Sequence, residues 1–583
     1  MKNAFVIVTL SAVLSACALG PQAPLARVPG PVPAPVPDSS DEVLPNVVLS
    51  ADLLYKLTKA ELEFKRGQWQ GPYVTLMGVA QQTRDPRIAH RALEIALAAK
   101  RGGEALAAVR LWRELAPDSE EANQYFLGFV VLGDSLDEAE QVFSKRLQAT
   151  PSAARGVVMF QMQQLLSRAK DKAAAFAVLE RVLAPYGSTQ ETHLVLAQGA
   201  FAKGDAARSV AEARQALAFN PRSELAVLTL AQATSPAPAV TALLTNFLAK
   251  NPDAREVRAA YARILIEQAQ YEGARQQFLY LLKGQPDNLA TLYALGILSM
   301  QLNDTPGAES YFKKFLAILD QHPNDERDPS KVLALLSQLA EDRGDVPGAL
   351  AWLDKIDDSD PQALFSARIR RAQLFAKRGD VDGGRAVLAQ TQTTDSGEQT
   401  QILLADAQIL RDAGYGPSAY TVLENGLKRF PGNTELLYDF ALAAEKLGKM
   451  DVMEKSLRAV IAQSPDNQQA YNALGYSFAE RNIRLPEAYK LIEKALKMAP
   501  DDPFIIDSMG WVQFRMGHLQ QAEELLRRAY ALRSDPDIAV HLGEVLWQKG
   551  DRTDAKKLWR EAKDKDPKND SLKGMLMRLN LSL

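Results

Sequence analysis

Apolar residues recur along most of this chain at spacings of three and four, the period of an amphipathic helix, and these helical patterns come in pairs. In PDNQQAYNALGYSFAERNIRLPEAYKLIEKALKMAP (Pro465 to Pro500) two patterns stand back to back, with small residues at Gly475, Ala488 and Ala495. Two antiparallel helices joined by a short turn approach closely only where side chains are short, while Leu474, Phe478, Leu491 and Ile492 fill the gaps. The marks repeat. Gly475 is followed by Gly510 and Gly543, Ala488 by Ala522 and Ala555, Ala495 by Ala529 and Ala562, and Pro500 by Pro567 two units later. Backwards, the Gly475 position is held by Ala441, Ala407, Ala372, Ser337, Gly296 and Ala262. The proline position is held by Pro431, Pro361, Pro286, Pro252 and Pro221. The steps are 33 to 35 residues except for 41 between Gly296 and Ser337, where the surplus falls in DQHPNDERDPS (Asp320 to Ser330), a composition suited to a longer turn.

A unit of two helices repeating every 34 residues or so is the tetratricopeptide period. The expected fold is an all-α tetratricopeptide-repeat superhelical solenoid of about 14–15 helix pairs, each burying its face against its neighbours. Residues 253–567 read as the regular array and 568–583 as a single capping helix. Residues 50–252 read as divergent repeats: LLYKLTKAELEFKRGQW (Leu53 to Trp69) is amphipathic, and further units open near Asp85, Asp118, Thr150 and Thr189. In the short unit from Pro221 to Pro252, Ser235-Pro236-Ala237-Pro238 is expected to make an irregular joint.

Composition adds little to this picture but closes some routes. At 583 residues, 47% hydrophobic and with 68 basic against 71 acidic side chains, the chain belongs to the ordered, near-neutral class. Lys and Arg are interspersed with Asp and Glu, so no basic track for nucleic acid is expected.

The N-terminus changes the setting. Residues 1–16, MKNAFVIVTLSAVLSA, have the charged start, short apolar core and small-residue end of a secretory signal. Leu14-Ser15-Ala16-Cys17 resembles the bacterial lipobox, and Cys17 is the one cysteine of the chain. That resemblance implies cleavage before Cys17, its acylation, and a lipid-anchored protein. Ala18 stands where the enterobacterial pattern has an inner-membrane-retaining aspartate, which implies the outer membrane, periplasmic face. Residues 21–37, PQAPLARVPGPVPAPVP, hold seven prolines and read as an extended tether within the segment 17–49.

Catalytic chemistry finds no constellation, so the chain is expected not to be an enzyme and to need no cofactor or metal. The five histidines, His90, His193, His322, His518 and His541, fall in separate units without metal-ligand spacing and read as surface or turn residues. Ser167-Arg168-Ala169-Lys170 and Ser310-Tyr311-Phe312-Lys313 match Ser-x-x-Lys without its companion motifs, and Gly414 to Ala419 imitates a dinucleotide loop at a repeat turn. Binding remains. In each first helix, residues one and four places after the Gly475 position and three before it rotate toward the concave wall. The last units would place Asn472, Tyr476, Glu480, Asp507, Trp511, Phe514, Arg515, Glu544 and Trp547 there as a partner-binding groove. Trp511, Phe514 and Trp547 suit an interaction hot spot, or alternatively packing between neighbouring units.

The run NALGYSFAERNIRLPEAYKLIEKALKMAPDDPFIIDSMGWVQFRMGHLQQAEELLRRAY, continuing to DPDIAVHLGEVLWQKGD, resembles the C-terminal repeats of proteobacterial tetratricopeptide lipoproteins. Among them is the lipoprotein adaptor of the periplasmic carboxyl-terminal processing protease. The resemblance implies a membrane-anchored adaptor that binds such a protease and delivers protein substrates, such as peptidoglycan hydrolases, to it. The alternative is a structural scaffold for a secretion, pilus or exopolysaccharide-export machine.

Overall fold

The computed structural model describes residues 45–582 apart from 134–135, 323–324 and 326. Cys17, the signal sequence and the proline-rich tether lie outside the described residues.

The described residues form 31 α-helices and no strand. They fall into two compact units, Met1–Pro323 and Asn324–Leu583, divided inside the long turn at Asp320 to Ser330. The first unit holds eight helix pairs: α1 (Ala51–Lys65) with α2 (Gln70–Thr83), α3 (Pro86–Ala98) with α4 (Gly102–Leu115), α5 (Glu120–Leu132) with α6 (Leu136–Ala149), α7 (Arg155–Leu166) with α8 (Lys172–Leu183), α9 (Gln190–Lys203) with α10 (Ala206–Phe219), α11 (Glu224–Ala233) with α12 (Ala237–Lys250), α13 (Arg255–Glu267) with α14 (Tyr271–Gly284), and α15 (Leu289–Gln301) with α16 (Thr305–Gln321). The second unit holds seven: α17 (Ser330–Asp342) with α18 (Val346–Leu353), α19 (Pro361–Lys377) with α20 (Val381–Gln390), α21 (Ser396–Asp412) with α22 (Gly416–Arg429), α23 (Thr434–Lys446) with α24 (Met450–Gln463), α25 (Gln468–Glu480) with α26 (Leu485–Met498), α27 (Pro503–Arg515) with α28 (Leu519–Leu532), and α29 (Pro536–Lys549) with α30 (Arg552–Lys565). A last helix, α31 (Asp570–Leu579), buries Leu572 and Met575 over the final pair.

Local chemistry starts most of the pairs. Ser50, Asp85, Ser119, Thr189, Asn433, Asn467, Asp502 and Asp535 stand at N-caps, each side chain accepting a backbone N–H of the first turn. The turn inside most pairs uses a left-handed residue. Gly517 and Gly550 supply it at φ 85° and 97°, and Ala269 is held there at φ 57°, where its Cβ is crowded. The prolines at Ser235 to Pro238 do not interrupt a helix: α11 stops at Ala233, and Pro236 and Pro238 stand at the entry to α12, where a missing N–H costs nothing.

The Gly475 position does what the pattern demanded. A Cβ on Gly475 would lie 2.6 Å from Cγ1 of Ile492, on Gly510 2.6 Å from Cγ of Leu526, and on Gly543 2.2 Å from Nε1 of Trp559. Each large partner is fully buried, and removal of such side chains from water stabilises by roughly 1.5–3 kcal/mol apiece.

Candidate protein-interaction site

The residues assigned to the groove sit on α25, α27 and α29, the first helices of the last three pairs. These helices are enclosed nearly all round. In α27 every residue from Ile505 to Gln513 is buried, and in α29 every residue from Ile538 to Leu546. Asp507 and Glu544 are therefore buried, and Trp511 is only 1% exposed. This corrects the expectation that all nine face an open wall: Glu480 is exposed, while Asn472, Tyr476, Phe514, Arg515 and Trp547 are half-buried.

Trp511 packs between neighbouring units. Its ring stacks on His541 of α29 at 4.2 Å between centroids and on Phe514 at 5.0 Å, while its Nε1 donates to Oε2 of Glu480 on α25 at 2.7 Å. Arg515 places its guanidinium 5.7 Å from the same ring. Trp547 meets Trp559 at 5.5 Å and lies beneath Arg552. Asn472 keeps a buried Oδ1 with no hydrogen-bond partner among the described residues.

The histidine at the centre was read as a surface residue, and the structure corrects this. His541 is 5% exposed, with Nδ1 3.0 and 2.9 Å from the two carboxylate oxygens of Asp507 and Nε2 3.4 Å from the Tyr476 hydroxyl. His193 also departs from the surface reading, its Nδ1 2.6 Å from the buried Glu212. Burial by itself lowers the His541 pKa, but the charge and hydrogen bond of Asp507, with Glu480 and Glu544 beyond, outweigh it and raise the pKa above the ordinary histidine value. Burial, reinforced by the Glu480 and Asp507 carboxylates, drives the Tyr476 phenol far above its usual range. Burial also raises Glu544, opposed by Arg578 of α31, whose guanidinium donates to both its oxygens at 2.5 and 2.6 Å. Carboxylates in this region are thus not merely a solvated surface.

A second candidate lies in the first unit. Between residues 45–49, α1, α2 and α3 there is a cleft of about 420 Å³ lined by Leu53, Leu57, Leu76 and Ile88, with Glu61 and Arg91 paired at its edge. Beside it Leu54, Tyr55 and Leu62 of α1 are more than half exposed. Single exposed apolar residues are ordinary, but three on one helix make a face able to take another helix.

Among the described residues no group of three or more His, Cys, Asp or Glu side chains is placed to hold a metal ion, and no helix is long and apolar enough to cross a membrane. The Gly414 loop is a left-handed turn between α21 and α22.

Sequence comparison with known proteins returns the same repeat. The tetratricopeptide repeat family profile matches residues 260–326, 438–503 and 508–570. A TPR repeat-containing protein of Pseudomonas aeruginosa is 40% identical over 181 residues, and the match spans 31% of this chain and 31% of that relative's length. Among solved structures, a thermophilic TPR protein of Thermus thermophilus is 25% identical, with 31% of this chain and 99% of that one covered at a TM-score of 0.29. The MamA protein of Desulfovibrio magneticus is 18% identical, with 30% and 99% covered at 0.26. The paired helices, their period and the three profile matches together make this chain an all-α tetratricopeptide-repeat solenoid, the architecture of a protein-interaction scaffold.

Proposed function

We propose that the protein is a membrane-anchored periplasmic adaptor that binds a carboxyl-terminal processing protease and holds envelope proteins, such as peptidoglycan hydrolases, for it to degrade. The observation that carries this reading is the presence, on one chain, of two compact units with dissimilar candidate faces. One is the aliphatic cleft and exposed Leu54, Tyr55 and Leu62 of α1; the other is the exposed Glu480 of α25 with the half-buried Phe514 of α27 and Trp547 of α29. In this reading the α1 region contacts the protease and the face around Glu480, Phe514 and Trp547 takes substrate. Tethering two partners to one scaffold raises their effective mutual concentration to the millimolar range with no chemistry of the scaffold's own. Acylated Cys17 anchors the assembly in the outer membrane, and the proline-rich segment gives it reach.

Reconstitution tests this. Protease, a candidate hydrolase and the soluble chain from Ser50 are mixed, and hydrolase loss is followed with and without the chain. Acceleration that is lost when Leu54 and Leu62 are both changed to Glu supports the adaptor reading. Failure of the chain to bind the protease, or to accelerate substrate loss, overturns it and leaves the structural scaffold of an export or pilus machine.

A further inference from the structure

An ionisable side chain in the centre of a repeat stack has to be accounted for, since leucine would fill the space at lower cost. His541 joins three pairs. It lies on α29, bonds Asp507 on α27, approaches the Tyr476 hydroxyl on α25, and stacks on Trp511, which is itself tied to Glu480 on α25. The carboxylates that act on it are Asp507, Glu480 and Glu544, the last restrained by Arg578 of α31. Tyr476 is the other titratable neighbour, itself under Asp537 and Glu445.

We propose that His541 is a protonation-operated lock: as the imidazolium it neutralises buried Asp507 and fastens α25, α27 and α29 in one arrangement, and as the neutral ring it lets that end of the array open. The neutral imidazole can still donate from Nδ1 to Asp507, so the hydrogen bond survives. What is lost is the charge that compensates a carboxylate removed from water. At Nε2 the polarity reverses, since the imidazolium donates to the Tyr476 oxygen whereas the neutral ring must accept from it. Opening also frees Trp511, which is otherwise clamped beneath the imidazole.

The sign follows from the raised folded-state pKa. The stabilisation is fully present below the unfolded value of 6.5 and is lost as pH rises through the folded value. Each unit by which the folded value exceeds the opened one makes local opening about tenfold more frequent above the window than below it.

The test uses the full soluble chain. The five histidine Cε1–H resonances are followed by NMR from about pH 5 to about pH 9, spanning the histidine range, and His541→Gln identifies the resonance of interest by its disappearance. In parallel, amide exchange of peptides from 468–480, 503–515 and 536–549 is measured over the same range and corrected for the intrinsic pH dependence. The expected result is a resonance titrating above 6.5 and corrected exchange that accelerates about tenfold per unit of that excess. His541→Gln should abolish the pH dependence, and Asp507→Asn should return the titration to 6.5 or lower. A wild-type His541 resonance titrating at or below 6.5, or corrected exchange in these helices that does not change with pH, overturns the lock, and the exchange result is read without any variant. Equal pH dependence in wild type and His541→Gln overturns it as well.

Discussion

Gly543→Ala should destabilise the last helix pair even though alanine is the better helix former. The new methyl would lie 2.2 Å from Nε1, 2.7 Å from Cε2 and 2.8 Å from Cδ1 of Trp559. That indole has no exposed surface, and its Nε1 donates to the Val540 carbonyl at 3.2 Å, so the ring has neither room to retreat nor freedom to rotate. Overpacking of this kind costs about 1–3 kcal/mol, and displacing the ring from Val540 about 1 more. The gain in helix propensity returns about 1 kcal/mol. The net loss is about 1–3 kcal/mol. Gly78→Ala, in the interior of α2 with nothing within 4 Å of its Cβ position, carries the propensity gain alone and should stabilise its unit by up to about 1 kcal/mol. Because a repeat array need not unfold as one cooperative body, hydrogen exchange peptide by peptide is the appropriate readout. Protection across α29, α30 and α31 should fall by at least severalfold in Gly543→Ala, while that of α1 and α2 rises in Gly78→Ala. Adding Trp559→Leu to Gly543→Ala recreates the Ala and Leu combination that the chain uses at Ala407 and Leu423, and should restore part of the loss. Unchanged protection in Gly543→Ala, or the same loss in Gly78→Ala, would refute the steric argument.

Ala269→Gly relieves a left-handed alanine in the turn between α13 and α14 and should raise local stability by about 1 kcal/mol, measured as slower exchange in those helices. Asp502→Ala removes the acceptor for the Phe504 and Ile505 amides and should cost about 1 kcal/mol in α27, visible first as fraying of its initial turn. Arg578→Met leaves Glu544 buried without its cation, a loss of about 1–3 kcal/mol at neutral pH. Because the Glu544 pKa is already raised, that loss should shrink as pH falls toward and below the folded value, which thermal melts at a series of pH values would record. Cys17→Ser should leave the membrane fraction or remain unprocessed, and cleaved protein retained at wild-type membrane yield would exclude the lipid anchor.

The pairing of helices was legible because the crossing point tolerates only small side chains: Gly475, Gly510 and Gly543 announce a steric contact, and the steps between them report its spacing. Openings expected at Asp85 and Thr189 are N-caps in the structure because capping chemistry is local to the sequence. The surplus at Asp320 to Ser330 coincides with the division between the two compact units. The groove was legible only in part. Rotation angles assign the faces of one helix, but α27 and α29 are covered on several sides, so the positions turned away from the second helix meet other repeats instead of water. His541 and Asp507 find each other from equivalent regions of adjacent units, a polar contact that periodicity within one helix does not reveal. An aspartate and a histidine 34 residues apart, each two or three places before the small crossing residue of its helix (Gly510, Gly543), was the available signal.

The contacts at Gly475, Gly510 and Gly543 also govern how such a gene can be rearranged. Each unit pairs its glycine with a different bulky side chain: Ile492, Leu526 and Trp559. A crossover with both breakpoints ahead of first-helix N-caps, such as Asp502 and Asp535, transfers each glycine together with its own partner and preserves the fit. A breakpoint in the turn between the two helices recombines them wrongly. Gly510 would then face an indole where it now meets Leu526, and Gly543 would face a leucine that leaves part of the indole's volume empty, a cavity that costs about 24 cal/mol per Å³. Duplication and loss of whole units is therefore open to this chain, while exchange of half-units is penalised even though the repeats look interchangeable when read as letters.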